Sequence, residues 1–110
     1  MDKLIQYRDV IRREMGEYAA WSTRGDVTGE FVEDPKKDHF EVLRFGWEGH
    51  RRIHGTILHL DIIDGKIWIQ YDGTDRPIAE ELVRAGVPKE DIVLAEKPAD
   101  VRPFTGYGVG

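Results

Sequence analysis

From Phe40 to Asp72 apolar and polar residues alternate in three runs, 40–47, 50–63 and 66–72, separated by the dipeptides Glu48-Gly49 and Asp64-Gly65. A period of two marks half-buried strands. Asp-Gly between two such runs is a strong hairpin signal, because a type I′ turn needs positive φ at both central residues. Counting outward from Asp64-Gly65 pairs Ile63 with Lys66, Ile62 with Ile67, Asp61 with Trp68 and Leu60 with Ile69. The same count continues to His59 with Gln70, Leu58 with Tyr71 and Ile57 with Asp72. Opposed residues share a face. One face therefore gathers Leu58, Leu60, Ile62, Ile67, Ile69 and Tyr71 as core, and the other gathers His59, Asp61, Trp68, Gln70 and Asp72.

Counting from Glu48-Gly49 places Leu43, Phe45 and Trp47 on the core face and Phe40, Val42, Arg44, Ile53 and Ile57 on the other. It also sends Arg52 and His54 coreward, a conflict that a bulge at Gly55 would relieve.

Upstream, Leu4, Tyr7, Ile11, Met15 and Tyr18 recur every three or four positions, with Asp2 placed to cap, so the spacing predicts an amphipathic helix from Asp2 to about Ala20. Val27 to Glu33 alternates as a short edge strand, and Asp34-Pro35-Lys36-Lys37-Asp38 is a turn. Beyond the hairpins, Ile78, Ala79, Leu82 and Val83 form the stripe of a second helix that Gly86 ends. Ile92-Val93-Leu94 is a short last strand. Residues 95–110 have no periodicity, yet Val101, Phe104, Tyr107 and Val109 are too apolar for a solvated tail, so the tail is expected to dock on its own domain or on a partner. The fold class is α+β: a single domain over 1–110, with an antiparallel meander of four to five strands and both helices on the Leu58/Ile69 face.

Composition alters this picture mainly by exclusion. The chain has no cysteine, which removes disulfides, thiolate metal sites and cysteine nucleophiles. Sixteen basic against twenty-one acidic residues give a net charge of −5, which opposes the counterion release that drives nucleic-acid binding. A direct contact with DNA needs a local patch. The candidates are Arg51 and Arg52, beside His50 and His54, and Arg8, Arg12 and Arg13 on the first helix. No stretch has the apolar length of a membrane span, and Met1 to Gln6 lacks the basic-then-apolar order of a signal peptide, so a cytoplasmic protein is expected.

Chemistry is thin. His59, Asp61, Gln70 and Asp72 share the predicted polar face, where His-x-Asp on adjacent strands suits a divalent metal or a base with its orienter. The same residues read more simply as the solvated positions of a half-buried sheet or as groups hydrogen-bonded within an interface, since a flat face supplies no catalytic cleft. Asp72-Gly73-Thr74-Asp75 satisfies turn and cap needs, and there is no phosphate loop, His-Glu-x-x-His helix or nucleophile elbow. No catalytic residue, metal or cofactor is assigned on this basis. Trp68, a large aromatic on a polar face, reads as an interface anchor or as a ring lying under the first helix or the tail. The candidate interaction face is Ile57, His59, Asp61, Trp68, Gln70 and Asp72.

Several of these segments resemble the XisI family, the fdxN element excision controlling factors found mainly in cyanobacteria. The resemblance is carried by Gly46-Trp47-Glu48-Gly49 with Arg51-Arg52, by His59-Leu60-Asp61-Ile62 and by Gly65-Lys66-Ile67-Trp68-Ile69-Gln70. It continues through Asp72-Gly73-Thr74, through Gly86 to Leu94 and to Tyr107 near the end, and so covers nearly the whole chain. It implies a non-enzymatic accessory protein that works beside a XisH-type partner and a site-specific recombinase, excising a DNA element during heterocyst differentiation. It offers no catalytic residues to carry over. Self-association through the polar face is expected, direct nucleic-acid binding is disfavoured, and a metal-dependent nuclease using Asp61, His59 and Asp72, or a DNA-binding subunit, is the alternative.

Overall fold

The structure, a computed structural model, describes residues 2–110; Met1, the first residue of the segment read for a leader, lies outside them. Helix α1 spans Lys3–Ser22. It starts where the Asp2 carboxylate accepts the Leu4 N–H at 2.9 Å. It ends where the hydroxyls of Ser22 and Thr23 donate back to the carbonyls of Tyr18 and Ala19, at 2.8 and 3.1 Å. Its predicted stripe is the buried one: Tyr7, Ile11, Met15 and Tyr18 all face the core.

The strands follow in order: β1 (Val27–Asp34), β2 (His39–Glu48), β3 (Arg51–Ile63) and β4 (Lys66–Asp72). Helix α2 (Ile78–Arg84) and strand β5 (Ile92–Leu94) complete the set. The sheet order is β1-β2-β3-β4-β5. The first four strands form the antiparallel meander, and β5 pairs parallel to β4, as the crossover through α2 requires. Both helices pack on one side, where Ile11, Met15, Ile78 and Leu82 join Phe40, Val42, Leu58, Leu60, Ile67 and Ile69 in one hydrophobic cluster. Among the described residues, neither α-helix covers the other side.

Two bulges and one shifted turn alter the predicted faces. Around Asp64-Gly65 the expected type I′ turn forms, with φ of 50° and 78°. The register holds from Ile63↔Lys66 to Leu60↔Ile69, then slips by one residue at Gln70, so His59 pairs with Tyr71 and Leu58 with Asp72. Tyr71 thus leaves the predicted core for the open face. Asp72 moves to the helix side, where its carboxylate accepts from the N–H and hydroxyl of Thr74 and from the Ile78 N–H at the start of α2, at 2.9, 2.6 and 2.9 Å.

The other hairpin turns at Gly49-His50 rather than Glu48-Gly49, pairing Glu48 with Arg51. The reason lies in the backbone: the first loop position carries φ of +64°, which glycine adopts without strain and glutamate does not. A second slip, between Val42 and Leu43 on β2, leaves Ile57 as the extra residue on β3. The bulge foreseen at Gly55 therefore falls two residues later. Its effect is to reverse the predicted faces of β2. Phe40 and Val42 are fully buried against the core, whereas Leu43 and Phe45 lie on the open side and Trp47 is half exposed at the hairpin end. Ile53 is buried, and Ile57 packs partly against the core instead of joining the open face.

The tail docks on its own domain. Gly108 bridges to Val93 on the outer edge of β5 and donates its N–H to Ile92 O at 2.7 Å. The Arg102 guanidinium lies over the Trp68 ring at 5.2 Å. Lys66 Nζ donates to Gly110 O at 3.2 Å, which seats the chain end against the same ring.

Candidate functional site

The open face of the sheet carries an ordered polar cluster where the start of β2 meets the end of β3. Cross-strand pairing sets His39 beside Asp61 and Glu41 beside His59. His39 Nδ1 lies 2.7 Å from Asp61 Oδ1, and His39 Nε2 lies 2.7 Å from Glu41 Oε2. The Thr56 hydroxyl donates to the other Glu41 oxygen at 2.7 Å, and His59 Nε2 lies 3.0 Å from Asp61 Oδ2. The two imidazoles meet edge to face, with centroids 4.4 Å apart. Each oxygen of Asp61 therefore faces a different histidine, and His39 is gripped at both ring nitrogens.

The electrostatics follow from those contacts. The hydrogen bond to Glu41 raises the His39 pKa above its ordinary value; partial burial opposes the shift and Asp61 reinforces it. Glu41 is displaced in the opposite sense, chiefly by His39 and next by the Thr56 hydroxyl.

Of the predicted face, the structure brings together His59 and Asp61, with Trp68 opposite Asp61 on the neighbouring strand. Gln70 sits at the bulge. Asp72 and Ile57 are withdrawn to the helix side and the core, so the second carboxylate of the nuclease reading is absent from the site. His39 and Glu41 take its place. Their signal was available, since His39-x-Glu41 repeats the His59-x-Asp61 spacing, but His39 sat at the edge of the predicted turn and Glu41's pairing required the Ile57 bulge. Trp68 lies partly under the tail of its own chain, which accounts for an aromatic on that face.

Around the cluster the open face also carries apolar side chains. Val32 and Tyr71 flank Glu41 and His59 in one cross-strand row, 41% and 45% exposed, and Leu43 and Phe45 extend the patch along β2. Phe104, on the tail, is almost fully exposed at 86%. The basic candidates behave differently from one another. On α1, Arg8 makes a two-pronged pair with Asp38 at 2.8 and 3.1 Å, Arg12 pairs with Glu33 at 2.9 Å and Arg13 with Glu14 at 3.3 Å. These are internal ion pairs rather than a phosphate-binding surface. Arg52 donates to Gly46 O at 3.3 Å and lies over the Trp47 ring at 5.5 Å, and both Arg51 and Arg52 remain exposed at that hairpin. A cleft of about 640 Å³ at the end of α1, lined by Trp21, Arg24, Arg44, Trp47 and Arg76, had no counterpart in the sequence reading. Within it, Arg76 lies over the Trp21 ring at 4.4 Å.

Comparison with known proteins agrees with this architecture. A family model described as XisI protein matches residues 1–109. The crystal structure of a XisI-like protein from Anabaena variabilis ATCC 29413 is 40% identical, covers 97% of this chain and 99% of its own, and superposes with a TM-score of 0.89. That of the fdxN element excision controlling factor XisI from the same organism is 34% identical, covers 99% and 100%, and gives 0.83. A comparison with curated proteins found no match.

Proposed function

The chain belongs to the XisI family, and from that premise we propose that it is an excision controlling factor, an accessory protein that governs the site-specific removal of a DNA element through protein contacts. Its partner in this reading is a XisH-type protein, acting with the recombinase that cuts the DNA. The observation that carries the contact role is the open sheet face, where Val32, Leu43, Phe45 and Tyr71 lie around a polar cluster and neither α-helix among the described residues covers them. Exposed apolar side chains on an uncovered sheet face are costly to leave in water and are a usual mark of an interface. The acidic residues on the same face, Glu30, Asp34, Glu41 and Asp61, suit a partner with a basic rim. Regulation rather than catalysis is supported by the separation of Asp72 from Asp61 and by the net charge of −5, which argues against this chain as the DNA-gripping subunit.

The test is the mass in solution, by light scattering, of the chain alone and mixed with the XisH-type protein of the same organism. The expected result is one hetero-complex of defined stoichiometry. Two species that remain separate at tens of micromolar, a concentration at which a standard-size interface associates, would overturn the partner assignment. A homo-oligomer that ignores the XisH-type protein would reassign the face to self-association.

A further inference from the structure

We propose that His39, His59 and Asp61 form a binding site for one divalent transition-metal ion of the zinc type. Among the described residues these three are the one group of metal-ligating side chains whose donor atoms all lie within 4.8 Å of one another. A tetrahedral ion held at about 2.0–2.1 Å requires donors roughly 3.3 Å apart. The observed contacts of 2.7 and 3.0 Å from Asp61 to the two histidines reach that spacing with small side-chain rotations.

The arrangement around the donors is what a metal site needs beyond its ligands. When a histidine binds a metal through one ring nitrogen, the other usually donates its proton to a carboxylate, which fixes the tautomer and aims the lone pair. Glu41 does this for His39: it holds Nε2 at 2.7 Å and is itself held by the Thr56 hydroxyl at 2.7 Å. With the proton on Nε2, the Nδ1 lone pair points at Asp61 Oδ1 only 2.7 Å away, so two lone pairs face each other unless a cation lies between them. A second proton on the ring meets that need. A metal ion meets it equally and takes the second histidine as well, since His59 Nε2 approaches the other oxygen of the same carboxylate.

All four side chains sit on paired central strands, so the donors are preorganised, and all are partly exposed, so the ion has access. The donor set also chooses the ion. Two imidazoles and one carboxylate suit zinc, copper or nickel, whereas magnesium prefers oxygen ligands and has one carboxylate here. The site therefore differs from the magnesium centre of a nuclease, and the inference stands whether or not the open face binds a partner.

The test is calorimetric titration of Zn²⁺ into the chelator-stripped full chain at pH 7.5, with Mg²⁺ as the comparison ion. The expected result is one Zn²⁺ per chain with micromolar or tighter affinity and no measurable Mg²⁺ binding. His39→Ala and His59→Ala each weaken Zn²⁺ binding by at least thirtyfold, and the double variant His50→Ala/His54→Ala, on the exposed hairpin, leaves it unchanged. Glu41→Gln, which keeps the shape but weakens the grip on His39, lowers affinity by about tenfold. Circular dichroism of each variant shows whether the fold is retained, and because His59 is partly exposed, His59→Gln replaces any variant that fails. Absence of saturable binding, or binding that survives loss of His39 and His59 and vanishes with His50 and His54, overturns the site.

Discussion

Replacing Phe40 by alanine is expected to cost about 3–5 kcal/mol of folding free energy, the range for a fully buried phenylalanine whose cavity cannot collapse. Phe40 has no exposed surface, lies opposite Leu60 on β3, and stacks on Phe31 with ring centroids 6.4 Å apart. Its surroundings are α1 and the centre of the sheet, which have little freedom to close the gap. Trp47→Ala is the paired control. Trp47 is the larger side chain, but it is 51% exposed, and its removal is expected to cost about 1 kcal/mol, the usual scale for a site with no cavity. Urea denaturation of the two variants reads the difference directly. The comparison tests the bulge at Ile57, because without it the strand would present Trp47 to the core and Phe40 to solvent, and the two costs would change places.

Gly29→Ala is expected to destabilise the chain by about 3 kcal/mol, the upper end of ordinary overpacking. A methyl group at Gly29 would stand 2.3 Å from the Ala19 carbonyl oxygen and 2.7 Å from Ser22 Cβ, both on the last turns of α1. The close approach is fastened by Thr23, whose hydroxyl accepts the Gly29 N–H at 2.9 Å. Neither contact is the far end of a flexible side chain, so relief requires the end of α1 to lift from β1 and disturbs the burial of Tyr18 and Ala19 behind it. A thermal unfolding series with Gly16→Ala as reference separates this steric effect from helix propensity, since a methyl at Gly16 meets nothing within 4 Å. Gly16→Ala is expected to be neutral or stabilising by up to about 1 kcal/mol.

Much of the fold was legible because local chemistry and global structure agree. The stripe from Tyr7 to Tyr18, the cap at Asp2, the type I′ turn at Asp64-Gly65 and the stop at Gly86 each have a physical cause within a few residues. The face assignments on β2 and at the far end of β4 were not legible, for a different reason. Side-chain alternation has a period of two, so a single extra residue reverses every assignment beyond it. Nothing in Gly55-Thr56-Ile57 or in Ile69-Gln70-Tyr71 announces which residue is left unpaired, since each run reads as continuous strand. The slips are chosen by the core, which accepts Phe40 and Val42 and leaves Tyr71 and Phe45 outside.

The candidate site shows the same boundary. His59 and Asp61 lie on the part of β3 whose pairing with β4 begins at an unambiguous turn, and their shared face followed from that count. His39 and Glu41 reach them only through a register that includes a bulge. Asp72 was assigned to them by a count that ignored the bulge at Gln70. Trp68 drew attention as an exposed anchor, but its surroundings depend on Arg102 and Gly110, more than thirty residues away in sequence and in a tail without periodicity.

The measurement that bears most directly on the open face as the working surface is partner affinity after two positive charges are placed on it, Val32→Arg with Tyr71→Arg. Both residues are 40–50% exposed and lie in one row across the sheet, on either side of Glu41 and His59. The substitutions are expected to leave stability within about 1 kcal/mol, as surface changes do. At an interface they would bury unpaired charges, so the affinity for the XisH-type protein, measured by calorimetry, is expected to fall at least a hundredfold, or about 2.7 kcal/mol. A folded double variant that binds within threefold of the parent chain would contradict the assignment and move the contact surface elsewhere on the molecule.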